Sequence, residues 1–280
     1  MPRLVLNTPD IVCQQRSSEN HRPPPRRIAG PRHDGGFSLI ELLVVVAIVA
    51  IFMALLLPAL NQAKAKGKTI ACLGQLKQFS AAAQMYSGDN NGFLVLNPTT
   101  AATNGWSGGN MQDATEATNT TLLRQGKLFP YLGRIELFHC PADTALTATG
   151  GARARSYAMN SWIGSRTMES FGAAARSFRT FVRDAELAIG RPTMLWFMAD
   201  EHEATIDDGF FLVTMDDSQP FASFPALRHQ RGFGLNFVDG HAELWKLRDP
   251  TTQLGDRGTA QISRKNSDWL RLKQETTLPE

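Results

Sequence analysis

The stretch from Gly36 to Leu60 decides the fold, and it reads GFSLIELLVVVAIVAIFMALLLPAL. From Phe37 onward it holds 24 residues with a single charged side chain, that of Glu41. As a helix these residues would extend about 36 Å, which is enough to cross a hydrocarbon layer of about 30 Å. Core helices of soluble proteins seldom stay apolar on every face over such a length. The sequence therefore predicts a membrane-spanning helix at 37–60.

Residues 1–36 differ sharply from this stretch, because they are polar and rich in proline and arginine. They hold six basic and three acidic side chains and show no apolar periodicity that could bury a core, so we predict a disordered leader. Three lysines follow the apolar run, at positions 64, 66 and 68. Six positive side chains before the helix and three after it favour a cytoplasmic amino terminus.

The composition of the whole chain is ordinary. Its 280 residues are 42% hydrophobic and 20% charged, which excludes a wholly disordered chain and a polytopic membrane protein. The formal net charge of +3 is too small to indicate a nucleic-acid binder, so we expect no nucleic-acid partner. The leader carries six of the 29 basic and three of the 26 acidic residues, so the rest of the chain is formally neutral.

Two residues are unusual for a plain membrane anchor. Glu41 lies four residues into the apolar run, where an ionised carboxylate is costly unless it reaches the interface or finds a cationic partner. Cleavage between Gly36 and Phe37 would create a free α-amino group, and that amine on a neighbouring subunit could pair with Glu41 and set the axial register. Pro58 lacks the N–H that a helix interior uses, so we expect a local break or the helix end there.

The run Gly36-Phe37-Ser38-Leu39-Ile40-Glu41-Leu42-Leu43-Val44-Val45 closely resembles the processing site of type IV prepilins and type II secretion pseudopilins. The resemblance implies that a prepilin peptidase cuts after Gly36 and methylates the new amino terminus at Phe37. It also implies that Glu41, the fifth mature residue, and Pro58, the twenty-second, serve assembly. The leader is longer than is usual in these families, which leaves the start codon and the leader length open.

The remainder of the chain predicts an α+β fold in which the long amino-terminal helix packs on an antiparallel sheet, as in pilins. An apolar stripe at helical spacing continues the helix over 61–88, through Ile70, Leu73, Leu76, Phe79, Ala83 and Tyr86. Gly88 is expected as its C-cap. Residues 89–250 form the predicted head, with buried strands at 193–199 and 210–215 and a hairpin turn at Asp239-Gly240. Residues 251–280 are expected to be a polar tail.

The carboxyl-terminal half carries a second resemblance. His229 is followed ten positions later by Asp239-Gly240, which resembles the ending of a bacterial prepilin-like family characterised by a His, nine residues and Asp-Gly. Short motifs around Cys72 and Cys140 also resemble that family. The resemblance supports membership in the prepilin class, but it assigns no ligand or activity to the head.

The three cysteines leave one pairing open. Cys13 lies in the leader, so Cys72 and Cys140 alone would remain in a processed chain. If the head faces an oxidising periplasm, these two cysteines could form a disulfide. Otherwise both would remain free thiols.

Acidic and histidine side chains cluster in the second half of the chain, where they could in principle hold a metal. The candidates are Asp200, Glu201, His202, Glu203, Asp207, Asp208, Asp216, Asp217, His229, Asp239 and His241. Their spacings match no strong metal motif, so we predict no metal and no cofactor, with Ca²⁺ ahead of Zn²⁺ as the alternative. No nucleophile, base and orienting group have a recognisable local signature, and we therefore predict no catalytic residues and no enzyme.

Taken together, these features predict a structural subunit of a type IV pilus or a type II secretion pseudopilus. Its expected partners are a prepilin peptidase, the lipid of the inner membrane, and other subunits that contact its apolar helix. It is expected to be a single-pass protein with a periplasmic head, which later joins a filament or reaches the cell surface. The alternative is a membrane-tethered periplasmic binding or adhesion module that uses the prepilin export route. The sequence does not separate major pilins, minor pilins and pseudopilins.

Overall fold

The computed structural model describes residues 36–98, 104–166, 168–171, 173–189, 191–216, 221–254 and 264–280. The leader up to residue 35, with Cys13, and Asp217 of the acidic clusters lie outside the described residues. The chain divides into two compact units, Met1–Met53 and Ala54–Glu280, and each is described by itself.

The described residues form five α-helices and five strands, joined by loops and short 3₁₀ turns. The helices are α1 Leu39–Asp89, α2 Thr120–Arg124, α3 Phe129–Leu132, α4 Asp184–Leu187 and α5 Ser267–Gln274. The strands are β1 Tyr157–Asn160, β2 Trp196–Asp200, β3 Phe210–Phe211, β4 Gly232–Phe237 and β5 Ala242–Lys246.

Helix α1 is apolar on every side through its first part. Its most apolar window has a mean hydropathy of 3.1 and no buried residue, so by length and composition this helix could cross a membrane. The large apolar side chains from Phe37 to Leu60 are between 46% and 80% exposed. An apolar surface of this extent requires lipid or other apolar helices to cover it.

Pro58 lies inside α1, and the helix continues through it. The expected local break or helix end at this position is therefore wrong. The missing N–H of a proline deprives the carbonyl four residues earlier, that of Ala54, of its usual helical partner. A single lost hydrogen bond is a smaller disturbance than a break, because the turns on both sides keep their own hydrogen bonds.

The second part of α1 buries one face in the head. Its buried residues are Cys72, Leu76, Phe79, Ser80, Ala82 and Ser87. The predicted stripe is confirmed at Leu76 and Phe79, but Ile70 is 71% exposed, and Cys72 occupies the buried face in its place. Helix α1 ends at Asp89, and the left-handed residues that reverse the chain are Asn91 and Gly92, with φ of 55° and 75°, rather than the expected Gly88.

The five strands form one sheet in the order β3-β1-β2-β4-β5. Three pairings are antiparallel, β1 with β2, β2 with β4, and β4 with β5, whereas β1 and β3 are parallel. After β2 the chain reverses direction and passes to the other side of β1, so β3 lies next to β1 and runs parallel to it. The α+β class is thus confirmed, but the sheet is mixed where the sequence predicts an antiparallel one.

Both faces of the sheet are covered. Phe233, Leu235 and Phe237 of β4 belong to a buried cluster that also contains Trp269 and Leu272 of α5. The alternate β4 residues Gly234 and Asn236 face α1, since successive side chains of a strand point to opposite faces. The segment expected to be a polar tail therefore contains a helix whose apolar side packs into the core of the head.

Asn236, a residue of β4, connects that strand to both α1 and β2. Its Nδ2 donates to the carbonyl of Leu76 and to the hydroxyl of Ser80, both at 2.6 Å. Its Oδ1 accepts from the backbone N–H of Met198 at 2.8 Å, at the point where the register between β2 and β4 shifts. The fully buried amide thus provides a partner for the backbone N–H of Met198, which has no regular partner where the β2–β4 register shifts.

We predict that Asn236→Leu lowers the free energy of unfolding by about 1–3 kcal/mol, because it keeps the branched shape of the side chain but leaves the buried N–H of Met198 without a partner. All five tryptophans lie between positions 106 and 269, so the intrinsic fluorescence of the full chain in detergent during urea unfolding reports on the head. Gln78→Leu is the matched control, because Gln78 is exposed and bonds only to its own helix, at Gly74. Equal effects of the two substitutions would contradict the role given to Asn236.

Candidate functional site

The amino-terminal segment presents Gly36 and Phe37 to solvent directly before α1. Neither belongs to a helix or strand, and Phe37 is 77% exposed. A Cβ atom added at Gly36 would meet nothing within 4 Å, and its backbone is outside the left-handed region. The fold itself therefore does not require a glycine at position 36, and a requirement for one would come from whatever binds this segment.

Glu41 closes the first turn of α1. Its Oε2 accepts a hydrogen bond of 2.9 Å from the backbone N–H of Ser38, the residue that precedes the helix. This is one half of a capping box, and the carboxylate also lies at the positive end of the helix dipole. A local stabilising role of Glu41 thus exists in this structure, and a neutral amide side chain could make the same hydrogen bond.

A second group of chemistry-bearing residues lies buried in the head. The side chains of Cys72, Cys140, Asp200 and His229 bring one sulfur, nitrogen or oxygen atom each to within 4.8 Å of one another. His229 is 3% exposed and the other three are fully buried. We call this group the Cys–His–Asp cluster.

Four separate elements hold the Cys–His–Asp cluster. Cys72 lies on the buried face of α1, and Cys140 follows the 3₁₀ turn Ile135–Phe138. Asp200 ends β2, and His229 precedes β4. The residues needed for the cluster are therefore brought together by tertiary structure alone.

The turn between His229 and β4 fixes the position of the imidazole. Gln230 and Arg231 both have left-handed backbones, with φ of 56° and 58°. The N–H of His229 donates to the carbonyl of Gly232 at 3.1 Å, and the ammonium of Lys246 donates to the carbonyl of Gln230 at 2.9 Å. This tight loop directs His229 inward at the start of the strand.

Hydrogen bonds surround the cluster. Nδ1 of His229 lies 3.0 Å from the hydroxyl of Thr69, and its Nε2 lies 3.4 Å from Sγ of Cys140 and 3.7 Å from Oδ2 of Asp200. The hydroxyl of Tyr157 lies 3.3 Å from Sγ of Cys72. On the far side, the guanidinium of Arg228 contacts Oδ1 of Asp200 and also the carboxylates of Asp143 and Glu203, each at 3.1 Å.

The ionisation of the two thiols is coupled. The pKa of Cys140 is lowered to about 4, first because the thiol of Cys72 donates a hydrogen bond to its sulfur and then because of His229. The pKa of Cys72 is raised well above its ordinary value, by that same bond to Cys140 and by burial. Burial likewise raises the pKa of Asp200, against the opposing effect of Arg228. The hydrogen bond between the two sulfurs therefore shifts their two pKa values in opposite directions.

The structure separates the residues of the predicted His and Asp-Gly motif. His229 belongs to the buried cluster, whereas Asp239 and Gly240 form the exposed turn between β4 and β5. Oδ1 of Asp239 accepts from the N–H of His241 at 3.1 Å, and Gly240 has a φ of 92°, which favours glycine. The motif thus joins a cluster residue to a hairpin, and it does not form one site.

Most of the other candidate ligands stabilise local structure. The backbone carbonyls of Asp207 and Asp208 accept from the buried guanidinium of Arg155. Oε1 of Glu201 accepts from the hydroxyl of Thr205, and a carboxylate oxygen of Glu203 contacts Arg228. Cys72 and Cys140 are free thiols in this structure, and their pairing as a disulfide stays a prediction.

Sequence reasoning missed three residues of the cluster's surroundings, Thr69, Tyr157 and Arg228. The signal for Thr69 was present, because it lies one helical turn before Cys72 and thus on the same face. Tyr157 pairs with Asp200 across β1 and β2, a register that no local pattern specifies. Arg228 is adjacent to His229, but only the fold shows that it meets Asp200.

Comparisons with known proteins bear on the amino-terminal segment. Residues 31–57 match the family described as "Prokaryotic N-terminal methylation motif". The type II secretion system core protein G of Pseudomonas aeruginosa is 39% identical over 59 residues, which are 21% of this chain and 42% of that protein. The type IV wide pilus major component PilA4 of Thermus thermophilus is 39% identical over 62 residues, which are 22% of this chain and 47% of that protein.

The chain thus spans less than half the length of these curated relatives. No solved structure matches the chain. The resemblance of the carboxyl-terminal half to a His and Asp-Gly family stays a prediction, because the family match ends at residue 57. The matched residues contain Gly36, Phe37 and Glu41 together with most of the exposed apolar part of α1. This chain therefore carries the prepilin-type amino-terminal methylation motif and is homologous to a type II secretion core protein and to a type IV pilus component.

Proposed function

We propose that this protein is a structural subunit of a type IV pilus or a type II secretion pseudopilus, made as a prepilin and cut by a prepilin peptidase. One observation carries the proposal. The methylation motif at residues 31–57 includes the start of a helix, and the large apolar side chains from Phe37 to Leu60 are all 46% or more exposed. This apolar surface would therefore be buried in lipid before assembly and against the helices of other subunits after it.

The exposed backbone at Gly36 and Phe37 suits a peptidase, because proteases act on chain segments that lie outside regular structure. Cleavage there would remove residues 1–36 and leave Phe37 as the new amino terminus. Only one residue, Ser38, then separates Phe37 from the start of α1 at Leu39. The new amine would lie close to the helix end that carries Glu41.

A charge pair between that amine and Glu41 of a neighbouring subunit would set the axial register of the filament. Apolar side chains on every side of a helix allow many sliding and rotational arrangements of nearly equal energy. A carboxylate in an apolar environment is costly without a partner, so arrangements that pair it are favoured over the others. Hydrophobic contact would supply affinity in this scheme, and Glu41 would supply the register.

The same proposal places the protein in the inner membrane as a single-pass precursor with its head in the periplasm, and later in a filament or at the cell surface. The excess of basic residues before the apolar helix supports this orientation. The protein would be a substrate of the peptidase and a building block, rather than an enzyme.

We predict that co-expression with a prepilin peptidase reduces the mass by residues 1–36 and adds one methyl group, as measured by intact-protein mass spectrometry. Gly36→Val should abolish this change without unfolding the head, because nothing in the fold depends on that glycine. Gly35→Val is the matched control and should still be processed after residue 36. An unchanged mass of the wild-type chain in the presence of active peptidase would refute the proposal.

We predict that Glu41→Gln is processed normally but fails to assemble into filaments, as seen by electron microscopy of sheared surface material or by crosslinking of subunits. The amide can still accept the hydrogen bond from Ser38, so this variant removes the charge and spares the helix cap. Glu136→Gln makes the same change on the exposed surface of the head and should assemble. Normal assembly of Glu41→Gln would contradict the role given to Glu41, whereas a chain that forms no filament and keeps its function in Glu41→Gln would favour the alternative, a membrane-tethered binding or adhesion module.

A further inference from the structure

We propose that Cys72, Cys140, Asp200 and His229 bind one structural Zn²⁺ ion. In a tetrahedral zinc site with Zn–S of about 2.3 Å and Zn–N or Zn–O of about 2.0–2.1 Å, sulfur and nitrogen ligands lie about 3.5 Å apart and nitrogen and oxygen ligands about 3.3 Å apart. In the cluster, Sγ of Cys140 lies 3.4 Å from Nε2 of His229, which lies 3.7 Å from Oδ2 of Asp200. All four ligand atoms lie within 4.8 Å of one another.

Asp200 supplies an observation independent of this spacing. Its side chain is fully buried, and its Oδ2 has no hydrogen-bond partner among the described residues, although its Oδ1 contacts Arg228. A buried carboxylate oxygen without a partner is rare and calls for an explanation. This oxygen lies 3.7 Å from Nε2 of His229, so a cation bound among the four side chains would satisfy it.

The tautomer of His229 also fits a ligand. The hydroxyl of Thr69 donates its proton to the carbonyl of Ala65 at 3.0 Å, one turn earlier in α1. In the tautomer with the proton on Nδ1 of His229, which lies 3.0 Å away, the oxygen of Thr69 accepts from that N–H. A neutral imidazole held in this way presents the lone pair of Nε2 toward Cys140 and Asp200, as the outer-shell partner of a metal-bound histidine does.

Polar groups also surround the two sulfurs. The backbone N–H of Ala142 donates to Sγ of Cys140 at 3.4 Å. The hydroxyl of Tyr157, which donates to Oε1 of Gln75 at 2.6 Å, lies 3.3 Å from Sγ of Cys72. Space beside Cys72 depends on Gly234, because a Cβ atom there would lie 3.2 Å from the sulfur and 2.9 Å from Leu76. Strand, helix and loop thus leave room for the ligand set and orient it.

The ligand chemistry selects zinc over calcium. Two thiolates, an imidazole and one carboxylate are the donors that Zn²⁺ takes in proteins, whereas Ca²⁺ takes six to eight oxygens. Binding would hold both sulfurs as thiolates and leave the first shell with one net negative charge, beside the positive guanidinium of Arg228. Four protein ligands and full burial leave no open position for a substrate, so the ion would be structural.

The role of such an ion follows from what it joins. It would link four segments of the head unit: α1, β2, the segment before β4, and the segment after the 3₁₀ turn at 135–138. A bound ion that cross-links four segments stabilises the folded head and not the unfolded chain. This proposal stands on the head alone and does not depend on filament assembly.

The metal content of the full chain tests the proposal directly. We would express it without a polyhistidine tag in a Cys13→Ser background, so that Cys72 and Cys140 are its only thiols, and purify it in detergent. After dialysis against metal-free buffer we expect one zinc ion per chain by mass spectrometry of the elements, and two thiols that react only after a chelator is added. Metal-free folded protein with two reactive thiols, or with a Cys72–Cys140 disulfide, would overturn the proposal.

Matched variants test the ligands. His229→Gln should lose the zinc, whereas His241→Gln should keep it, because His241 contacts Asp239 in the hairpin turn and not the cluster. Thr69→Val should weaken zinc affinity by about 10–100-fold through the loss of the outer-shell bond to the histidine. Retention of a full equivalent of tightly bound zinc by folded His229→Gln would refute this ligand set.

A spectroscopic readout protects the test against a variant that does not fold. Co²⁺ added to the metal-free Cys13→Ser protein should produce the thiolate-to-metal charge-transfer absorption and the intense visible bands of a tetrahedral site. Tryptophan fluorescence shows that the head remains folded in the same sample. The absence of these bands in folded, reduced protein would overturn the proposal without reference to any variant.

Discussion

The contact between the second part of α1 and strand β4 is the one on which the rest of the head depends. It requires close approach at Gly234, where a side chain would collide with Leu76, and hydrogen bonds at Asn236, whose buried amide serves both the helix and β2. Once this contact is made, Cys72 has a fixed place over the sheet. Cys140, Asp200 and His229 can then meet it only if the loops follow the paths seen here.

The two parts of α1 are suited to two different environments. Through Leu60 its apolar side chains are exposed on all sides, and beyond it a face defined by Cys72, Leu76 and Phe79 is buried. Apolar surroundings accept the first pattern, whereas a folded domain in water requires the second. The homology to secretion and pilus proteins fits this division, and the carboxylate at Glu41 is the polar exception in the apolar part.

Sequence patterns predicted the features that depend on neighbours in the chain. The apolar helix follows from 24 residues with one charge, and the β4–β5 hairpin follows from Asp239-Gly240. The sequence does not predict helix α5, because its segment is polar and contains few apolar residues. Two of these, Trp269 and Leu272, are buried because they pack on the face of the sheet opposite α1. The parallel β1–β3 pair and the Cys–His–Asp cluster were missed because they join segments that are remote in sequence and follow from topology alone.

The hydrogen bond between Thr69 and His229 spans 160 residues of chain, so it has a consequence for the order of folding. Contacts between remote segments form late, because the entropy of closing a long loop must be overcome first. By length and composition the apolar helix could therefore enter a membrane while the head is still incomplete. The part of the helix that carries Thr69 and Cys72 would complete its contacts only after the last strands are synthesised. Insertion would come first in this chain and head folding second, with the cluster closing only when almost all of the polypeptide is present.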